Sequence, residues 1–119
     1  MSRVRRGTKR RQRRAKVLER AKGFRGAKSR NYRTAKEAVE KALSYSYRDR
    51  RTRKRDMRSL WIIRIKAAAL ANGLSYSRFM NGLKKGNILL DRKILAELAA
   101  GAPDVFSRIA QKAKDASVA

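Results

Sequence analysis

The chain is 119 residues long and carries 34 Lys+Arg against 9 Asp+Glu, a formal charge of +25 with a pI near 11.7. A compact chain with that surplus repels itself unless a polyanion neutralises it, and nucleic acid is the polyanion whose counterion release drives such binding. Cys and His are both absent, which excludes disulfides, Cys/His zinc sites, thiol redox chemistry and the side chain most used for proton transfer near neutral pH.

Met1-Ser2-Arg3-Val4-Arg5-Arg6 leads into more charge rather than an apolar h-region, so no secretory signal is expected. The run from Arg3 to Lys16 holds Arg3, Arg5, Arg6, Lys9, Arg10, Arg11, Arg13, Arg14 and Lys16. It lacks apolar periodicity and is expected to be an arm that borrows its shape from RNA. Its alternative is a flexible basic tail or localisation signal. Lys22, Gly23-Phe24-Arg25-Gly26, Lys28, Arg30 and Arg33 come next. The two glycines permit a sharp turn and a close approach to phosphate, and Phe24 either stacks on an unpaired base or anchors packing.

From about Tyr32 to Ala71 there is no Gly or Pro, and Ala, Glu, Lys and Arg abound. This predicts one long helix of about 60 Å. Its middle, Arg48-Asp49-Arg50-Arg51-Thr52-Arg53-Lys54-Arg55-Asp56-Met57-Arg58, spreads basic side chains over an arc of roughly 220° at 100° per residue. An amphipathic membrane helix would need an apolar stripe in the remaining sector. Asp49, Asp56, Thr52 and Tyr45 stand there instead. Such a helix suits a rod flanked by phosphates. Tyr32, Tyr45 and Tyr47 either pack or meet RNA.

Beyond Ser59 the character changes. Residues 1–58 hold 24 Lys+Arg and 5 acids, whereas residues 59–119 hold 10 and 4 and most of the large apolar residues. In the first part Arg outnumbers Lys 17 to 7, a bias toward bidentate phosphate contacts and stacking. So few apolar groups cannot offset backbone ordering, so residues 1–58 are expected to be ordered by a partner. Residues 59–119 are expected to fold by themselves, near the lower size limit for doing so.

Within the second part, Asn72-Gly73 is expected to end the long helix. Leu60, Ile63, Ala67 and Leu70, with Trp61, Ile65, Ala68 and Ala69, give its share of the core, and Trp61 is expected to be core rather than a stacking platform. Ser75 caps a helix with the stripe Tyr76, Phe79, Met80 and Leu83, closed by Gly86. Asp91 caps the next, with Ile94, Leu95 and Leu98 inward and Gly101 at its end. Pro103 opens the last, with Val105, Phe106, Ile109, Ala110 and Ala113 inward. Lys84-Lys85 and Arg92-Lys93 flank the connection around Gly86-Asn87, as a second RNA contact or as solubilising charge. The fold class is therefore all-α, a long basic N-terminal helical extension plus a small C-terminal helical bundle.

Chemistry beyond binding finds no support. Asp91, Glu97, Asp104 and Asp115 are the acids of residues 59–119, Asp91 and Asp104 sit at helix starts, and no nucleophile–base pairing or phosphate-cradling Gly-x-x-x-x-Gly-Lys motif occurs. No enzyme, cofactor, metal, small-molecule substrate or membrane partner is expected. A DNA-compacting protein remains compatible with the charge, but no dimerisation element or major-groove helix is recognisable.

Several blocks together resemble a known family: Lys16-Val17-Leu18, Ala21-Lys22-Gly23-Phe24-Arg25-Gly26, Tyr47-Arg48-Asp49-Arg50-Arg51, Lys54-Arg55-Asp56, Leu60-Trp61-Ile62, Ser75-Tyr76-Ser77, Gly82-Leu83 and Arg92-Lys93-Ile94-Leu95-Ala96. In this order, over nearly the whole chain, they are similar to the bacterial large-subunit ribosomal protein family L-twenty. Lys66 stands where that family usually has Asn, Met57 where it has Phe, and a His common in its N-terminal arm is missing. The resemblance implies a structural, non-enzymatic part of the ribosome, cytoplasmic or alternatively organellar, that binds 23S rRNA early in large-subunit assembly. The extension would thread between rRNA helices, with the globular part nearer the surface and large-subunit protein L-twenty-one as a neighbour. The rRNA contacts expected are the basic residues of the arm and turn named above together with Phe24, then Arg48, Arg50, Arg51, Arg53, Lys54, Arg55 and Arg58, and Lys84, Lys85, Arg92 and Lys93.

Overall fold

The computed structural model describes residues 2–3 and 7–118. Among them it has α1 (Gly7–Arg20), a short 3₁₀ turn (Gly26–Ser29), α2 (Tyr32–Ala71), α3 (Tyr76–Lys85), α4 (Arg92–Gly101) and α5 (Pro103–Val118), and no strand. The long helix expected between Tyr32 and Ala71 is present over those residues. Two compact units form, Met1–Arg51 and Thr52–Ala119, each with its own core.

In the first unit the arm is part of the helical extension expected. From Gly7 onward it is helical, because Arg, Lys, Gln, Glu, Ala and Leu are all good helix formers and need no apolar stripe to adopt the conformation. Arg5 and Arg6 lie outside the described residues. A small core closes the turn between α1 and α2: Ala21, Ala35 and Val39 are buried, with Val17, Leu18 and Phe24 packed against them. Composition hid this core because its most buried members are mainly alanines, which draw two helices close without adding bulk. Gly23 and Gly26 carry φ of +88° and +67°, the left-handed region that glycine enters without strain.

The second unit is built on ten buried residues contributed by all four helices and Leu74. Ile65 and Ala69 come from α2, Phe79 and Leu83 from α3, Leu95 and Ala96 from α4, and Phe106, Ala110 and Ala113 from α5. The Phe79 and Phe106 rings stack at 5.1 Å between centroids. Gly82 lets α3 meet α5 directly, since a Cβ there would lie 2.3 Å from the Ala113 carbonyl oxygen.

Helix ends follow the residues expected to make them. Ser75 Oγ accepts from Arg78 N at 3.4 Å and Asp91 Oδ1 accepts from Ile94 N at 2.8 Å. At the end of α2, Gly73 (φ +75°) donates to the Leu70 carbonyl and Leu74 to the Ala69 carbonyl, both at 2.9 Å. These are the paired bonds of a Schellman stop, with Leu74 folded into the core. The stop of α3 differs by one residue from expectation. Asn87, at φ +53°, takes the left-handed position rather than Gly86, while Ile88 donates back to the Leu83 carbonyl. Gly86 has another role, because a Cβ on it would crowd the Gly82 carbonyl oxygen at 3.3 Å and the Ala116 methyl at 3.4 Å.

The inward stripes need correction at six positions. Leu60, Ile63, Ala67 and Leu70 on α2, Ile94 on α4 and Val105 on α5 are exposed. The buried face of α2 runs through Trp61, Ile65, Ala68 and Ala69, spaced i, i+4, i+7, i+8, and the second apolar row points away from it. Trp61 packs on this core but stays half-exposed.

Candidate nucleic-acid interface

Each expected contact residue that is described sits where a phosphate could reach it, with one partial exception. Arg3 is exposed, and so are Lys9, Arg10, Arg11, Arg13, Arg14 and Lys16 on α1. Lys22, Arg25, Lys28, Arg30 and Arg33 are exposed around the turn, and Arg48, Arg50, Arg51, Arg53, Lys54, Arg55 and Arg58 along α2. Lys84, Lys85 and Lys93 are exposed in the second unit. The exception is Arg92, half-buried, whose Nε donates to the Tyr76 hydroxyl at 3.0 Å. It ties α4 to α3 besides carrying charge.

Little of this charge is neutralised within the chain. Among the described residues, ion pairs join Lys36 to Glu40 at 4.0 Å and Arg48 to Asp49 at 2.9 Å. The Asp49 hydrogen bond, and then its charge, raise the Arg48 guanidinium above the ordinary arginine value. The tyrosines act on the same charges. Arg14 lies over the Tyr32 ring at 4.9 Å, Arg48 over Tyr45 at 4.7 Å and Arg51 over Tyr47 at 4.4 Å, with Arg51 also donating to the Tyr47 hydroxyl. A guanidinium held over a ring has fewer rotamers left to be frozen when a phosphate arrives. The tyrosines are therefore supports for arginines on the first unit's surface.

Phe24 anchors packing, one of the two roles left open for it. One side packs on the small core of the first unit. It also lines an open groove of ≈ 610 Å³ with Gly23, Arg25, Lys28, Ala38, Lys41, Ala42 and Tyr45. Lys41 and Tyr45 were not expected at this place. Their signal is the spacing 38, 41, 42, 45, one face of α2 that composition alone passes over. In the second unit Trp61, Arg64 and Lys93 border a groove of ≈ 460 Å³, and Arg78 and Lys114 border another of ≈ 540 Å³. Arg64, Arg78 and Lys114 are cations that a search for basic runs misses, because none has a cation directly beside it in sequence.

The arrangement can bind anions along two helices and a turn. Among the described residues no cluster of acidic side chains could hold a metal ion, and no helix is long and apolar enough to cross a membrane.

Comparison with known proteins agrees with this surface. The family model for ribosomal protein L20 matches residues 3–109. The large ribosomal subunit protein bL20 of Syntrophotalea carbinolica is 62% identical over 114 residues, covering 96% of this chain and 97% of its own length. That of Roseiflexus sp. is 59% identical over 116 residues, covering 98% and 99%. The Chloroflexus aggregans protein is 58% identical over 119 residues, covering both chains completely. The match runs over most of the chain at high identity, and the chain belongs to the ribosomal protein L20 family.

Proposed function

We propose that the chain binds 23S rRNA directly and supports assembly of the large ribosomal subunit. It is a structural constituent of that subunit and not an enzyme. The observation that carries the rRNA reading is the exposed basic surface of α1, the turn and α2, which has few internal counter-charges and several guanidiniums set on tyrosine rings. Residues 1–58 supply the phosphate contacts and are held in RNA, while residues 59–119 fold around their own core and add Lys84, Lys85, Arg92 and Lys93. Positive charge this dense pulls together RNA segments that repel each other, which is the contribution a basic protein makes to early folding of a large RNA. Large-subunit protein L-twenty-one is the protein neighbour that this reading adds.

Sedimentation of a lysate through a sucrose gradient in high salt tests the assignment. Co-migration with the large subunit is the expected result, and recovery only at the top of the gradient overturns it. Competition between a 23S rRNA fragment and duplex DNA at physiological salt tests the partner, with preference for the RNA expected.

A further inference from the structure

The groove beside Phe24 has a composition that phosphate binding alone does not require. Its walls are one phenyl ring, one phenol ring and three cations, Arg25, Lys28 and Lys41, and no carboxylate lines it. Ala38 and Ala42, one turn apart on α2, leave the space open in a segment where most exposed neighbours are long. Its ≈ 610 Å³ falls within the roughly 300–1,000 Å³ of small-ligand sites. A purely electrostatic surface needs no such recess, and a protein side chain would not call for three cations at its rim. The ligand that matches is flat and apolar on its faces and anionic at one end.

We infer that this groove receives a single unpaired nucleotide of the RNA, its base laid on the Phe24 ring and its phosphate among Arg25, Lys28 and Lys41. A paired base hides its faces in the stack, so the occupant must come from a bulge, a loop or a strand end. Tyr45 closes the far wall. Arg48 lies over its ring at 4.7 Å, which leaves Phe24 as the stacking face. Apart from the Tyr45 hydroxyl, no neutral hydrogen-bonding side chain lines the groove, so recognition is of a base in general rather than of one base. The inference rests on the rRNA-binding reading and adds a point contact to it.

Stacking and phosphate contact differ in their salt dependence, because only the second releases counterions. The test is filter binding of the full-length protein to a 23S rRNA transcript across a salt series, comparing wild type, Phe24→Leu and Ala42→Leu. Phe24→Leu keeps an apolar packing group and removes the aromatic face. Ala42→Leu removes nothing and fills the groove, so it decides the matter even where Phe24→Leu disturbs the small core. Both variants are expected to bind about ten-fold more weakly, the loss typical of one base–aromatic stack, with the slope of log affinity against log salt unchanged. Wild-type affinity in Ala42→Leu, or a flattened slope in either variant, overturns the pocket and leaves general rRNA binding intact. Failure of the wild-type chain to bind the transcript would instead overturn the rRNA-binding reading itself.

Discussion

At Gly82 a single hydrogen in place of a methyl determines how near two helices can come. A Cβ there would sit 2.3 Å from the Ala113 carbonyl oxygen and 2.8 Å from Ser117 Oγ. The serine can rotate away, but the carbonyl belongs to α5 and moves only with the helix. Gly82→Ala should therefore destabilise the protein by about 1–3 kcal/mol, the usual cost of overpacking a tight contact. This outweighs the gain of under about 1 kcal/mol from placing Ala in a helix interior. A thermal melt checks the sign, and an unchanged or raised midpoint would show that α5 is free to retreat. No sequence pattern announced this contact, since glycine in a helix reads only as a weak point until its neighbour is known.

Elements were legible where chemistry at their ends was specific. Ser75, Asp91, Gly73 and Pro103 each stand at the terminus their side chains or backbone favour. The two caps differ in bond length, 3.4 Å for Ser75 and 2.8 Å for Asp91. Asp91→Ala is expected to cost about 1–2 kcal/mol and Ser75→Ala about 0.5 kcal/mol, within the range for N-caps. Urea melts of the two variants measure the order, and equal midpoints would mean that Ser75 tightens its bond in solution. Faces were less legible than ends. In α2, apolar residues at 60, 61, 62, 63 and 65 cover so much of the circumference that period alone offers two stripes. Packing then chose the one through Ile65 and Ala69. Ile94 and Val105 failed for a related reason: each flanks a fully buried residue, Leu95 or Phe106, and periodicity cannot tell the centre of a face from its edge. Helix α1 was legible only as part of a helical extension, since polar helices have no stripe to mark their bounds. The groove beside Phe24 was half visible, its turn being written in Gly23-Phe24-Arg25-Gly26 and its opposite wall hidden in the spacing of α2.

For the whole molecule, charge and apolar content fall in different parts of the chain, and this sets what each can do alone. The core around Phe79 and Phe106 draws only on residues from Ile65 onward, with Trp61 at its border. A fragment of residues 59–119 should therefore stay helical and melt cooperatively, and circular dichroism of that fragment tests it. A featureless, non-cooperative trace would mean that the N-terminal part of α2 is needed for folding. Its rRNA binding should be weaker than that of the full chain and less sensitive to salt, since 24 of the 34 cations lie in residues 1–58.

The stop of α2 also bears on how the protein ages. Asn-Gly pairs are the dipeptides in which the glycine amide most readily attacks the asparagine side chain, turning it into aspartate or isoaspartate. The chain has such pairs at Asn72-Gly73 and Asn81-Gly82. At the first, Asn72 Nδ2 donates to the Ala68 carbonyl at 2.9 Å and Gly73 N to the Leu70 carbonyl at 2.9 Å. Attacker and target are thus both held in other bonds. At the second, Gly82 lies inside α3, packed on α5. Mass spectrometry of protein aged folded and aged in urea should show deamidation at both sites confined largely to the unfolded sample. A cation-rich protein gains unwanted negative charge with each such event, so the same hydrogen bonds that end a helix also keep its chemistry constant over the lifetime of the molecule.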